Sequence, residues 1–187
     1  MADEAASPAE PGVPYGMQRC AARFVGRVFD QLVEAVADLS DEELHALPEG
    51  APNSIGFIAW HVFRSADNVV LFAFERERTV WMREGLHEAW GLPKVAQGTG
   101  MEPDEAAAVR IPGASALADY GRAVRDELVP RIEEMSDEYL RGVSRVVPWG
   151  DVPRLEAIGQ TVIVHGSQHL GEIAVVRRLL GRNSPLF

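Results

Sequence analysis

Helical periodicity restricts this chain more than any other feature. Four stretches repeat apolar residues at steps of three and four, and the last carries two histidines inside its stripe. Between Leu155 and Leu180 the apolar residues are Leu155, Ile158, Val162, Ile173, Val176 and Leu180, the mark of one face of an α-helix. His165 and His169 fill the gap between Val162 and Ile173. Side chains at i and i+4 lie one above the other, so both imidazoles are expected to point inward from successive turns. Neutral imidazole is the commonest protein metal ligand, and this spacing lets two rings reach one ion. A bare HxxxH pair also arises by chance, so a site requires a third ligand on another buried face.

The first helix is expected from about Tyr15 to Leu39, with Met17, Ala21, Phe24, Val28, Leu32, Ala35 and Leu39 inward. Ser40 and Glu43 have capping-box spacing for a short extra turn, and Pro48 and Gly50 then break the chain. His45, in that connection, reads as a solvent-facing residue. The second helix opens at Asn53 or Ser54, both good N-caps, and its pattern extends to Arg83 with Gly85 as the stop. Its apolar face includes Ile55, Ile58, Ala59, Val62, Ala66 and Val69, with His61 beside the stripe. A lone histidine there reads as a hydrogen-bonded core residue; the pair on the last helix makes it the candidate third ligand.

From Gly85 to Gly113, glycines and prolines leave room only for short turns, one around Asp104 to Val109. Long loops inside compact domains tend to be functional or to cross the molecule. Fully extended, this one reaches about 95 Å, against about 45 Å for a 30-residue helix. It therefore reads as a crossover that leaves the second and third helices parallel. His87 and Trp90 lie within it, His87 reading as a surface residue. The third helix is expected from Ala114 to Met135, kinked or split at Pro130. Ser136 to Pro153 is expected to form a short hairpin-like turn before the last helix. These patterns argue for an all-α four-helix bundle in one domain spanning residues 15–187.

Composition narrows the function. The 187-residue chain carries a net charge of −10 and no dense Lys/Arg block, which argues against a nucleic-acid partner. No apolar run is long enough to span a membrane. Residues 1–14 are acidic and rich in Ala and Pro, which reads as a disordered leader rather than a signal peptide. Cys20 is the only cysteine, consistent with a reducing, cytoplasmic setting.

The stretch Asn53 to Val62, with Ser65-Ala66-Asp67 after it, resembles the second helix of the DinB-like superfamily, to which mycothiol-dependent maleylpyruvate isomerases are related. Ile158 to Thr161 and Val164 to Ile173 resemble its fourth helix, and the likeness runs in order from Tyr15 to Leu180. It includes Trp90-Gly91-Leu92-Pro93 in the connector and the turn at Trp149. The resemblance implies a four-helix bundle of up-down-down-up topology. It also implies a divalent metal held by three side chains, here His61, His165 and His169, and a homodimer. Relatives include S-transferases and isomerases that use mycothiol, bacillithiol or glutathione.

Three neutral nitrogens leave an open coordination position, as in catalytic sites. The set suits zinc, nickel, iron or manganese. Two classes of function follow. One is a metal-dependent thiol S-transferase or isomerase, with a low-molecular-weight thiol as co-substrate, an electrophilic second substrate and the connector as a lid. The other is a non-catalytic metal-binding or stress-related bundle protein. An apolar cavity with a few polar groups at the metal would favour the enzyme. Trp90, Trp149 and Arg64 are candidates for the pocket mouth.

Overall fold

The computed structural model describes residues 16–183. The leader at 1–14, Tyr15 and the tail at 184–187 lie outside the described residues. The described chain is mostly helical. It opens with α1 (Met17–Ala37), α2 (Asp41–His45) and α3 (Ile55–Asp67), which continues as a π-helical stretch, Asn68–Phe74. Three short helices follow, α4 (Val80–Arg83), α5 (Leu86–Ala89) and α6 (Pro103–Ala108), then the long α7 (Ala114–Glu134). After α8 (Asp137–Arg141) comes an antiparallel hairpin of β1 (Val143–Val146) and β2 (Gly150–Pro153), paired Val143 to Pro153 and Val146 to Gly150. The last element is α9 (Arg154–Ala157), a π-helical stretch Ile158–Val164, and α10 (His165–Leu179).

The core lies where α1 packs against α7 and α10, and α3 packs against the same two. All thirteen residues of α3 are buried. Ser54 caps it, accepting from the Phe57 amide at 3.3 Å, which supplies one of the free amides at a helix start. Phe63 of α3 stacks on Phe29 of α1, with ring centroids 5.4 Å apart. It also lies against Gly121 of α7, where a Cβ would come within 2.5 Å of the ring; a side chain there would force α3 and α7 apart. No helix among the described residues is long and apolar enough to cross a membrane.

Three expectations need correction. The first-helix stripe is rotated: Ala21, Val28, Leu32, Ala35 and Leu39 are buried, but Met17 and Phe24 are exposed, and Val25, Phe29 and Val36 face inward instead. Each residue turns a helix by about 100°, so the true buried arc is centred past the expected one and leaves Phe24 at its rim. The second helix does not reach Arg83. Arg76 takes a left-handed conformation at φ 60°, and the Asp67 carboxylate accepts from the Val80 and Trp81 amides at 2.9 and 3.0 Å. That capture folds the chain back and starts α4. Pro130 does not split α7, which runs on to Glu134. The expected turn near Asp104 is α6, and the expected hairpin-like turn is β1–β2.

Candidate metal centre

His61 projects from α3, and His165 and His169 from successive turns of α10. The His165 Nε2 lies 3.0 Å from the His61 Nε2 and 3.1 Å from the His169 Nε2. In each ring the other nitrogen is already committed. The His61 Nδ1–H donates to the Gln97 carbonyl, the His165 Nδ1–H to the Thr161 carbonyl at 3.2 Å, and the His169 Nδ1–H to Glu172 Oε2 at 2.8 Å. A neutral imidazole with Nδ1 as donor has its lone pair on Nε2. Three such lone pairs therefore converge on one point. Nitrogens about 2.0–2.1 Å from one ion, at angles of roughly 90–110°, are about 2.8–3.4 Å apart; both His165 pairs have that spacing and all three nitrogens lie within 4.8 Å of one another, so the donor set could hold a single divalent cation.

Electrostatics agree with neutral rings. Burial, then the neighbouring His169 and His61, depresses the His165 pKa to about 4. Burial also lowers that of His61, against the opposing pull of its bond to Gln97. Both shifts favour the neutral form of His61 and His165, the form in which an imidazole can ligate.

Local sequence explains how the three rings meet. In the π-helical stretch, the His165 amide bonds to the Gln160 and Val162 carbonyls and passes over Thr161. The Thr161 carbonyl thus accepts the His165 ring. Such π-turns recur at functional sites. Gly166 lets α10 close on α1: a Cβ there would stand 2.8 Å from Val28 Cγ1. Gly98 sits at φ 91°, where a Cβ would be 3.1 Å from the Phe57 ring and 3.2 Å from His61 Nδ1. Only glycine lets the connector turn this close to the His61 ring. Phe57, one turn before His61, stacks on it at an interplanar angle of 6°.

The imidazoles form part of the wall of a cavity of about 360 Å³. Residues 97–101 of the connector supply one side, and Val147, Pro148 and Trp149 of the β1–β2 turn supply another. Asn53, Ser65, Gln97, Thr99 and Thr161 bring amides and hydroxyls to its lining. The chain thus brings together three nitrogens that could hold a metal ion, an apolar wall and a few uncharged polar groups.

The sequence profile of the DinB superfamily matches residues 26–173. The chain belongs to the DinB superfamily. Its fold is similar to the crystal structure of a conserved Enterococcus faecalis protein, with a TM-score of 0.78 and 21% identity, covering 90% of this chain and 100% of that one. No curated protein matches it.

Not every candidate of this DinB-superfamily chain falls at the site. Trp149 lines the cavity, half-exposed. Trp90 instead packs on Trp81 and Tyr120, at centroid distances of 5.2 and 6.1 Å. Arg64 is 1% exposed and lies over the Trp81 ring, well inside the protein rather than at a mouth. His45 is not simply solvent-facing: its Nδ1–H donates to the Asp41 carbonyl at 2.8 Å and its Nε2 accepts from the Ile111 amide at 2.9 Å. The His87 side chain is only 12% exposed, with Nε2 3.6 Å from Glu88, so it is no plain surface residue. Sequence reasoning missed Gln97, Gly98, Thr161 and Glu172. The one signal available was Glu172, three residues after His169 on the same helix.

Proposed function

We propose that this protein is a metal-dependent thiol S-transferase or isomerase, in which His61, His165 and His169 hold one divalent ion: zinc, nickel, iron or manganese. The observation that carries this reading is the convergence of three histidine Nε2 atoms at the wall of a cavity that reaches the surface beside Trp149. A divalent cation held there would acidify a bound thiol, which at neutral pH is otherwise only a few per cent thiolate. The residues of the chain do the rest. Gln97, Thr161 and Glu172 fix the ring orientations, as partners of ligating histidines generally do. Phe57, Met101, Val147 and Trp149 keep water from the reacting atoms. Asn53, Thr99 and Ser65 offer hydrogen bonds to a small polar substrate. An apolar cavity with few polar groups favours this reading over a non-catalytic metal-binding protein.

The fold assigned to this function is a four-helix bundle of up-down-down-up topology. Ion pairs Arg125–Asp30 at 2.6 Å and Arg19–Glu133 at 3.3 Å support α1 and α7 running in opposite directions. Contacts of Phe63 with Gly121 and of Glu75 with Arg131 support α3 and α7 running in the same direction. Val28 beside Gly166, and Asp38 paired with Arg177 at 2.6 Å, support the same for α1 and α10. The crossover between α3 and α7 is the segment that supplies Gln97 to Met101. We assign the protein to the cytoplasm and to a homodimer, the exposed Met17 and Phe24 of α1 offering an apolar outer face. A monomer mass by light scattering at tens of micromolar would count against the dimer.

Elemental analysis of purified protein tests the metal, with one ion per chain expected. The His165→Ala/His169→Ala double variant should copurify without it; stoichiometric metal in that variant overturns the ligand set. Thiol chemistry is tested by consumption of mycothiol, bacillithiol or glutathione with a generic electrophile. Metal-loaded wild type should outpace His169→Ala, and equal rates would leave the non-catalytic reading.

A further inference from the structure

The cavity beside the imidazoles is walled by uncharged groups. Phe57, Met101, Val147, Pro148 and Trp149 are its apolar members, and the rest of the lining is amide, hydroxyl, imidazole and glycine. Although 25% of the chain is charged, no lysine, arginine, aspartate or glutamate among the described residues lines it. Val147 is exposed and Trp149 half-exposed, so the apolar part of the wall continues to the surface.

Three charged residues are sequence neighbours of this wall, and none reaches the cavity. Arg64 follows His61 by three residues on α3, but lies over the Trp81 ring and donates to the Lys94 and Val95 carbonyls. Glu172 holds the outer nitrogen of His169 at 2.8 Å and lines no part of the cavity. Glu156 lines a second, smaller cavity of about 120 Å³, which shares only Trp149 with the first. Each of these charges stands outside the wall.

A carboxylate or ammonium carried into such a wall gives up its water and meets no opposite charge, which is costly. An uncharged guest meets no such penalty, and its apolar surface is covered by Phe57, Met101 and Trp149. We infer that this cavity selects uncharged guests and discriminates against carboxylates and ammonium ions of the same shape. What this says of a substrate rests on the function proposed above. There the open position of the metal belongs to the thiolate, so a second substrate carrying a carboxylate would find no cation in the wall. The second substrate is then an uncharged electrophile.

The test uses three probes of nearly one shape: benzamide, which is uncharged, benzoate, an anion, and benzamidine, a cation. Each is titrated by calorimetry into the full-length, metal-free protein at about pH 8, above the ordinary imidazole pKa. No metal ion or charged ring then holds the carboxylate. Benzamide should bind in the millimolar range or tighter, as suits so small a ligand, and each ion at least about tenfold more weakly. An ion that binds as well as benzamide, or a benzamide that does not bind, overturns the inference. Val147→Arg and Met101→Lys each bring a cation to this wall, and at least one should raise benzoate towards benzamide. A gap unchanged in both variants overturns the inference as well. Thiol consumption by metal-loaded protein, assayed separately, bears on the function above and not on this selectivity. Its failure beside an intact preference for benzamide removes the thiol chemistry alone, and the reverse pattern removes the selectivity alone.

Discussion

Helix α3 carries two buried polar clusters within two turns of each other, and they are satisfied in opposite ways. Around Asp67 both carboxylate oxygens accept from donors of this chain: the Val80 and Trp81 amides, and the Tyr120 hydroxyl at 2.9 Å. Arg64 stands 3.8 Å from the same carboxylate and donates through Nη2 to the Lys94 and Val95 carbonyls at 3.4 and 3.3 Å, while its Nε and Nη1 make no hydrogen bond. Around His61 the outer nitrogens are committed but the inner ones face one another. A carboxylate whose oxygens are taken up by donors of its own chain holds a fold together. A cluster whose lone pairs converge beside a cavity is left for a guest. The first also serves the second, since Arg64 grips the connector at Lys94 and Val95, just ahead of the Gln97 carbonyl that orients His61.

The largest effect separating the two clusters should come from Asp67→Ala. It leaves two amides, a hydroxyl and a guanidinium buried without their acceptor, and breaking a buried ionic cluster from one side costs about 3–5 kcal/mol. Denaturant unfolding of the metal-free protein measures it. His61→Ala, assayed the same way, should cost much less while abolishing metal binding. Equal losses in the two variants would break the comparison.

The next effect is one of pH. His165 titrates near 4 in the fold against about 6.5 in an unfolded chain. Between those values the unfolded chain binds the proton and the folded one does not, so stability rises with pH in that window. Metal-free protein should therefore lose stability as pH falls from about 6.5 towards about 4, by less than the roughly 3.4 kcal/mol of an unscreened shift, because solvent screens this partly exposed ring. Above about 6.5 the contribution is flat. His165→Ala should flatten the slope in that window, and an unchanged slope would mean that the ring is not buried neutral.

The parts of this design that were legible in the sequence are those carried by helical period. His165 and His169 share a face because four residues make about one turn, and His61 is placed by the stripe around it. What the sequence hid depends on contacts between distant segments or on a change of period. The π-helical stretches leave no mark in a pattern read at 3.6 residues per turn, and one of them frees the Thr161 carbonyl for His165. The end of α3 depends on Asp67 reaching Val80, across an apolar pattern that continues unbroken. Arg64 was misplaced because three residues along a helix from His61 turn the side chain by about 300°, onto the Trp81 side. The Gln97 carbonyl is backbone, and no residue type announces it. Trp149 was found only through the likeness of its turn to relatives.

A smaller effect concerns Glu172, which belongs to the open cluster although it touches no cavity. Its carboxylate holds the His169 Nδ1 proton at 2.8 Å. Removing such a partner typically lowers metal affinity about 10–100-fold. Glu172→Gln should show that loss in a chelator competition, with a change in unfolding free energy below about 0.5 kcal/mol, as for an ordinary surface substitution. A stability loss without an affinity loss would move Glu172 to the structural side of the comparison.

The smallest effect should come from His45, and it sharpens the contrast because it sets histidine against histidine. Both of its nitrogens are used inside the chain: Nδ1–H donates to Asp41 at the start of α2, and Nε2 accepts from the Ile111 amide at the far end of the connector. The ring thus ties α2 to the entry of α7, with no lone pair left for an ion. His45→Ala leaves the Ile111 amide without its acceptor, although the partly exposed site lets water take over some of that bond. The net worth of such a hydrogen bond is about 1 kcal/mol. We expect a loss of about that size in denaturant unfolding and full retention of metal by elemental analysis. Metal loss in His45→Ala would mean that the connector, rather than the tautomers of the three converging rings, decides whether the site binds.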